Sequence, residues 1–153
     1  MSFDTPAGTR GARQPAGPLA RWANKLMSGR IRRKQDGKFM GFDALVLTTV
    51  GRKSGLPRTN PVGWFSAQDG GWLIVASAAG SAGNPAWYYN IAAHPDQVQI
   101  EVKGQQTAVV ADQLHGPERE AAWQRIIAAV PRFAQYQQKT DRELPIIHLA
   151  PAP

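Results

Sequence analysis

The chain has 153 residues, which is enough for one domain with a sizeable core, and it contains no cysteine. Disulfides, cysteine-ligated zinc and thiol chemistry are therefore excluded. No apolar run approaches the roughly 20 residues that span a bilayer, and the N-terminus lacks the apolar segment of a secretory signal. We therefore expect a cytoplasmic protein.

The net charge of +7 is distributed unevenly along the chain. Residues 1–40 contain nine Lys/Arg and two Asp, which is +7, whereas residues 41–153 contain nine Lys/Arg and nine Asp/Glu, which is zero. A neutral body argues against a nucleic-acid-binding surface spread over the fold. The N-terminal part is the region that would meet an anionic surface.

Two segments precede the body of the chain. Residues 1–17 are rich in Gly, Pro and Ala, which predicts a disordered tail. Residues 18–40 are predicted to form a basic amphipathic helix beginning at Pro18, with apolar residues at helical spacing. These apolar residues are Leu19, Trp22, Ala23, Leu26 and Met27. Two interpretations stay open: the helix packs on the core of the domain, or it binds the anionic inner face of the cell membrane.

Residues 41–153 are predicted to form a mainly β domain with packed helices. Strands are indicated at "DALVLTTV", "RTNPVGWFSAQ", "WLIVASAA", "QVQIEVKG", "QQTAVVADQL" and "LPIIHLA". Helices are indicated at "NPAWYYNIAAHP", with Asn84 as its N-cap, and at "GPEREAAWQRIIAAV". Hairpin connections dominate, so the pattern favours a small, mostly antiparallel barrel over a parallel sheet.

The stretch "TTVGRKSGLPRTNP", residues 48–61, places three cations around a Gly/Ser turn. Pro57 and Pro61 forbid the helix that follows a P-loop. Arg52, Lys53 and Arg58 suit phosphate or carboxylate oxygens, although a solvated hairpin tip remains the alternative. The three histidines lie in different elements without metal-ligand spacing, so no metal site is expected.

Three stretches together resemble the deazaflavin-dependent nitroreductase family over about residues 20–150: "TTVGRKSGLPR", "VASAAGSAGNPAWYYNIAAHP" and "YQQKTDRELPIIHL". Members are split β-barrel proteins of mycobacteria and related actinobacteria that use coenzyme F420, an 8-hydroxy-5-deazaflavin. The resemblance implies a split barrel over residues 41–153. It also implies an oxidoreductase that transfers hydride from reduced F420 to a quinone, enone or nitro-type acceptor.

The resemblance also assigns residues to the site. The basic loop, with Arg52, Lys53, Ser54 and Arg58, would bind the phosphate and polyglutamate tail of the coenzyme. The residues implied along and around the deazaflavin are Thr59, Asn60, Pro61, Val62, Gly63, Val75, Ala76, Ser77, Ala78, Ala86, Trp87, Tyr88, Tyr89, Asn90 and Phe133. The acceptor would stack against Trp64, Trp87, Phe133 and Tyr136. Ser77 or Tyr136 would donate a hydrogen bond to the acceptor oxygen that gains charge.

Structural roles for some of these residues stay open. Trp87 suits a core, Asn90 suits a tie between helix and loop, and Phe133 and Tyr136 suit the packing of the last helix. Only Tyr136 supplies a phenol on the acceptor side, so nitroimidazole reduction does not follow from the resemblance. Two other functions stay open: an FMN-binding oxidoreductase barrel, and a non-catalytic protein that binds a cofactor or an apolar ligand.

Overall fold

The computed structural model describes residues 3–14, 18–33, 38–39 and 42–153. The strands are β1 (Lys38–Phe39), β2 (Phe42–Val50), β3 (Pro57–Ser66), β4 (Trp72–Val75), β5 (Val98–Val102), β6 (Gln105–Gln113) and β7 (Ile146–Pro151). The α-helices are α1 (Pro18–Arg33), α2 (Ala86–Ala93), α3 (Gly116–Ala129) and α4 (Arg132–Lys139). A 3₁₀ turn spans Ala78–Gly80.

Six strands close into an antiparallel barrel in the order β2-β3-β4-β7-β6-β5, and β5 pairs back onto β2. The closure depends on β2, which pairs with β3 on one side and with β5 on the other. Strand β1 adds a short hairpin to β2. The predicted split-barrel fold is therefore confirmed.

The barrel interior is filled by alternate residues of its strands, as period-two strand geometry requires. Leu45 and Leu47 of β2 point inward with Ile74, Ile100 and Leu149, and all are buried. Helix α2 closes one end of the barrel with Trp87, Tyr88 and Ile91, which belong to the same apolar cluster.

A second apolar cluster lies outside the barrel, between its wall and helices α3 and α4. Leu73 and Val75 of β4 supply the wall, and Ile126 of α3 packs against it. Phe133 and Tyr136 of α4 complete the layer as partly buried side chains. Sequence analysis did not resolve α4 as a separate helix, because Pro131 interrupts the apolar pattern after α3.

Helix α1 lies against β2 and β3 but does not bury its whole apolar stripe. Ala23 and Met27 are half-buried, whereas Trp22 is 62% and Leu26 is 49% exposed. Residues 34–37 and 40, which were predicted within the helical segment, and residue 41 lie outside the described residues. None of the helices described is long and apolar enough to cross a bilayer.

Residues 3–14 form an ordered strap along the barrel, so the expectation of a disordered tail is wrong for this part of it. The Thr9 N–H donates to Asp141 Oδ1 over 2.8 Å, and Gln14 Nε2 donates to the Gly83 carbonyl over 2.8 Å. Ala12 makes a parallel bridge to Ser81. The strap contains little apolar surface, and hydrogen bonds order it, which composition does not reveal.

Candidate functional site

The basic loop is a closed turn that presents its side chains to solvent. The Gly51 N–H donates to the Leu56 carbonyl over 2.8 Å, and the Gly55 N–H donates to the Gly51 carbonyl over 2.8 Å. Gly55 has a φ of 71°, which favours glycine. The Ser54 hydroxyl accepts from the Leu56 N–H, so it shapes the turn. Three cations, Arg52, Lys53 and Arg58, surround this turn; the first two are exposed and Arg58 is half-buried.

Asn90 ties the basic loop to helix α2 from a buried position. Its Oδ1 accepts from the Arg52 N–H over 3.0 Å, and its Nδ2 donates to Thr49 Oγ1 over 3.1 Å. The Arg52 guanidinium lies 4.7 Å from the centre of the Tyr89 ring, a cation–π contact. The structure thus gives Asn90 the tying role that sequence analysis had left open, and it brings Tyr89 to the loop.

A cleft of about 230 Å³ lies between β3, the end of β4, the 3₁₀ turn and helices α2 and α4. It is lined by Pro61, Val62, Gly63, Val75, Ser77, Ala78, Ala79, Pro85, Trp87 and Phe133. Eight of these were predicted from the sequence, and Ala79 and Pro85 were missed. The side chains that line it are apolar apart from that of Ser77, whose hydroxyl makes no cap hydrogen bond. Small residues leave a narrow slot beside two aromatic rings, which suits a flat ring system.

Strand β3 joins the loop to the cleft. Arg58 stands at its start and Gly63 lines the cleft, five residues later, or roughly 17 Å at strand rise. Thr59 and Asn60 occupy the half-buried positions between them. Strand β3 therefore connects the basic loop at one end with the cleft further along.

Nine of the residues predicted around the ring or the acceptor do not line this cleft: Thr59, Asn60, Trp64, Ala76, Ala86, Tyr88, Tyr89, Asn90 and Tyr136. Trp64 packs with the interior cluster, because strand alternation turns it away from Gly63. The Tyr88 hydroxyl is held inside by Gln113 and Thr5, and burial raises the pKa of this phenol. Ala76 is fully buried, with its N–H donating to the Pro145 carbonyl. Tyr136 stacks edge-on against Phe133 at 5.8 Å and supports that ring from behind the cleft.

Asn84 was predicted to cap α2, and this is wrong by one position. Pro85 is the N-cap residue, and its side chain makes no cap hydrogen bond. The Asn84 amide instead accepts from Arg142 Nη1 over 2.8 Å and donates to the Thr5 carbonyl over 2.9 Å. Arg142 itself was not singled out by sequence analysis, because "TDRELP" has the composition of a surface loop.

A larger depression of about 360 Å³ lies beside α3 and α4. Arg119, Glu120 and Glu143 give it mixed charge, and the Arg119 side chain pairs with Glu143 at 3.2 Å. None of the predicted site residues lies there. The site therefore consists of the basic loop, β3 and the apolar cleft.

This arrangement defines a class: a split-barrel protein with a cleft lined by aromatic and small side chains and with a cationic loop at the start of β3. The chain belongs to the F420H(2)-dependent quinone reductase family, whose model matches residues 23–151. Members are oxidoreductases that use coenzyme F420, so the predicted family and cofactor are confirmed. The FMN alternative is not favoured by this membership.

Individual proteins that are similar to this chain carry the same family description. The chain is 31% identical over 147 residues to the F420H(2)-dependent quinone reductase Rv1261c of Mycobacterium tuberculosis, covering 86% of this chain and 97% of that protein. It is 34% identical over 107 residues to the putative F420H(2)-dependent quinone reductase Rv3178 of the same species, covering 70% and 88%. A solved F420-H2 dependent reductase, FDR-A, superposes with a TM-score of 0.62 at 34% identity, covering 70% of this chain and 93% of that one.

Proposed function

We propose that this protein reduces a quinone with F420H2, holding the deazaflavin ring in the cleft and the tail on the basic loop. The observation that carries the proposal is that the basic loop, with Arg52, Lys53 and Arg58, leads directly into β3, and that the same strand goes on to line the cleft. When bound, reduced F420 supplies a hydride from C5 of its ring, and the quinone takes up a proton from water. The chain's own residues bind, orient and exclude solvent.

The residues present fit this coenzyme. The phosphate and glutamyl carboxylates carry several negative charges, which Arg52, Lys53 and Arg58 match. Trp87 and Phe133 line the cleft together with small residues, a combination suited to stacking of a flat tricyclic ring. Thr59 and Asn60 lie where the linker between ring and tail would run.

On the acceptor side, Ser77 is the polar side chain that lines the cleft, so we assign its hydroxyl as the donor to the oxygen that gains charge. Tyr136 lies behind Phe133, so we assign it the support of that ring. An apolar wall with one hydroxyl suits a quinone, whose two carbonyls need few partners. We expect weaker turnover of nitroimidazoles, which present a larger polar group.

A binding titration with F420, its tail-less analogue and FMN tests the cofactor assignment. We expect F420 to bind most tightly, with longer glutamyl tails binding tighter and losing more affinity in salt. Equal affinity for the tail-less analogue would remove the role given to the basic loop. Tighter binding of FMN would favour the alternative barrel oxidoreductase, and binding without quinone turnover would favour a non-catalytic role.

We further propose that α1 docks the enzyme on an anionic membrane, where apolar quinones reside. Trp22 and Leu26 lie one turn apart and are exposed, and the neighbouring Arg21 and Lys25 are exposed too. An exposed indole beside cations is suited to the interface of an anionic leaflet. Each basic residue near such a surface contributes roughly 1 kcal/mol, and salt weakens this attraction.

Vesicle co-sedimentation tests the docking. The Trp22→Ser/Leu26→Ser variant should lose most binding to anionic vesicles, since both exposed side chains are removed without disturbing buried ones. Val110→Ser is the matched control, because Val110 is an exposed apolar residue on β6 and should leave binding unchanged. The docking proposal is wrong if the wild-type protein ignores anionic vesicles at low salt.

A further inference from the structure

Arg142 is a buried cation at the centre of the segment that lines the cleft. Arg142 is only 2% exposed. Its guanidinium donates four hydrogen bonds of 2.8–3.1 Å, to the carbonyls of Ala76, Ser77 and Ser81 and to Asn84 Oδ1. The segment from β4 to α2 is therefore wrapped around one guanidinium.

These bonds fix the direction of two peptide units. The carbonyls of Ala76 and Ser77 point at Arg142, and the chain contains no cis peptide among the described residues. In a trans peptide the N–H points opposite to the carbonyl. The N–H groups of Ser77 and Ala78 therefore point away from Arg142, on the side where both residues line the cleft. Neither N–H has a protein acceptor within the described residues.

The backbone here has the geometry of an anion-binding concavity. Ser77 is right-handed, with φ −77° and ψ −36°, whereas Ala78 and Ala79 are left-handed, with φ 46° and 53°. Successive N–H groups in a right-handed then left-handed sequence converge on one point, where they bind anions. Left-handed alanines are strained, and they persist only where surrounding contacts hold them. Arg142 holds the carbonyls on either side of these alanines, those of Ser77 and Ser81.

Among the described residues no carboxylate pairs with Arg142. Asp141, its neighbour, accepts from Thr9, and Glu143 pairs with Arg119. The titratable groups that face Arg142 from α2 are the phenols of Tyr88 and Tyr89. Burial lowers the pKa of the Arg142 guanidinium, but its ordinary value is so high that the group stays charged. Carbonyl dipoles solvate this charge without neutralising it.

We infer that Arg142 is a positioning residue that makes the cleft select the anionic form of the deazaflavin ring. It aims the Ser77 and Ala78 N–H groups at the ring and leaves one uncompensated positive charge behind them. The inference rests on the proposed function. It extends that function by naming the ionisation state that the cleft binds: the form in which the 8-hydroxyl has lost its proton and the charge is spread over the conjugated ring.

The first test uses wild-type protein and two tail-less ligands. Affinity for tail-less 8-hydroxy-5-deazaflavin, followed by its fluorescence, should rise about tenfold as pH passes through the ionisation of its hydroxyl, a shift of one pKa unit in the bound ring. Affinity for 5-deazariboflavin, which lacks this hydroxyl, should stay constant, which controls for titration of protein groups. A pH-independent affinity for the first ligand overturns the inference.

The second test separates charge from geometry. Arg142→Lys keeps the charge but cannot reach four acceptors, so it should bind both ligands more weakly and retain the rise with pH. Arg142→Gln removes the charge and should reduce the rise to less than threefold. The matched control is Arg119→Gln, which removes another buried arginine that donates to a carbonyl, that of Leu144, away from the cleft. It should lower the melting temperature and leave the rise with pH intact.

The outcomes separate this inference from the function on which it rests. If Arg142→Gln keeps the full rise, or Arg119→Gln abolishes it equally, Arg142 only stabilises the fold. If Arg142→Gln does not fold, the wild-type comparison of the two ligands decides alone. If wild-type protein binds neither these ligands nor F420, the proposed function is wrong and the inference falls with it.

Discussion

Gly63 offers a way to fill the cleft without disturbing the barrel, so Gly63→Leu tests where the ring binds. Along β3, Gly63 and Phe65 share one face by strand alternation, and the Phe65 ring packs 5.8 Å from that of Phe133, which lines the cleft. A Cβ at Gly63 would meet only the Asp43 carbonyl oxygen, at 3.7 Å, which is an ordinary contact. The new side chain therefore enters the cleft.

The expected effects on folding and on binding differ in sign. Glycine within a strand destabilises by roughly 0.5–1 kcal/mol relative to alanine, so the unfolding free energy should stay constant or rise slightly. Forcing added methylenes against a well-packed partner costs roughly 1–3 kcal/mol. The affinity for F420 should consequently fall about 5- to 150-fold.

Isothermal titration with F420 and thermal unfolding measure both quantities on the same sample. Ser66→Leu is the matched control, since it adds a leucine to the exposed end of the same strand and should leave affinity unchanged. Unchanged affinity in a folded Gly63→Leu protein would refute the placement of the ring in the cleft. A large loss of melting temperature would refute the assignment of the strand face.

Three further predictions concern single residues. Arg58→Ala should weaken F420 binding by about 1.5–3 kcal/mol in low salt, with little change in melting temperature, because a charge-assisted bond to the coenzyme is lost; a structural arginine would show the reverse. Asn90→Ala should lower the unfolding free energy by roughly 1–3 kcal/mol, since it leaves the buried Thr49 hydroxyl and Arg52 N–H without a partner; unchanged stability in denaturant titration would contradict this. The bonds from the strap lower the pKa of Asp141 to about 2 from an ordinary 3.8, so the stability that this carboxylate contributes is complete above pH 4 and is lost as pH falls toward 2. Asp141→Asn should lack this part of the pH dependence of unfolding. An acid-unfolding profile identical to that of the wild type would disprove this.

The barrel was predictable because its strands are bounded by clear turn residues and joined by hairpins. The direction of the side chains on β3 was harder to predict. Pro61 and Gly63 interrupt the apolar alternation of that strand, so its sequence does not say whether Trp64 faces the interior or the cleft. The structure turns Trp64 inward, where it packs with the core.

The aromatic run "WYY" in α2 shows a similar limit. Consecutive helical residues are separated by about 100°, so the three rings must face different ways. Trp87 reaches the cleft, Tyr88 enters a polar network with Gln113, and Tyr89 lies under Arg52. The rotation of α2 about its own axis, as it packs on the barrel, decides which surroundings each ring meets. That rotation depends on contacts between residues distant in sequence.

The zero net charge of residues 41–153 hides an uneven arrangement in space. Arg119 has Glu143 as a partner, and Asp69 pairs with His148 at 2.9 Å, both away from the cleft. Asp141 is occupied by the strap. By contrast, the partners of Arg142 among the described residues are all neutral carbonyl oxygens. The cations of the basic loop lie at the other end of β3. Opposite charges that sum to zero can therefore still leave a positive field along one strand, and local field rather than net charge governs where an anionic ligand binds.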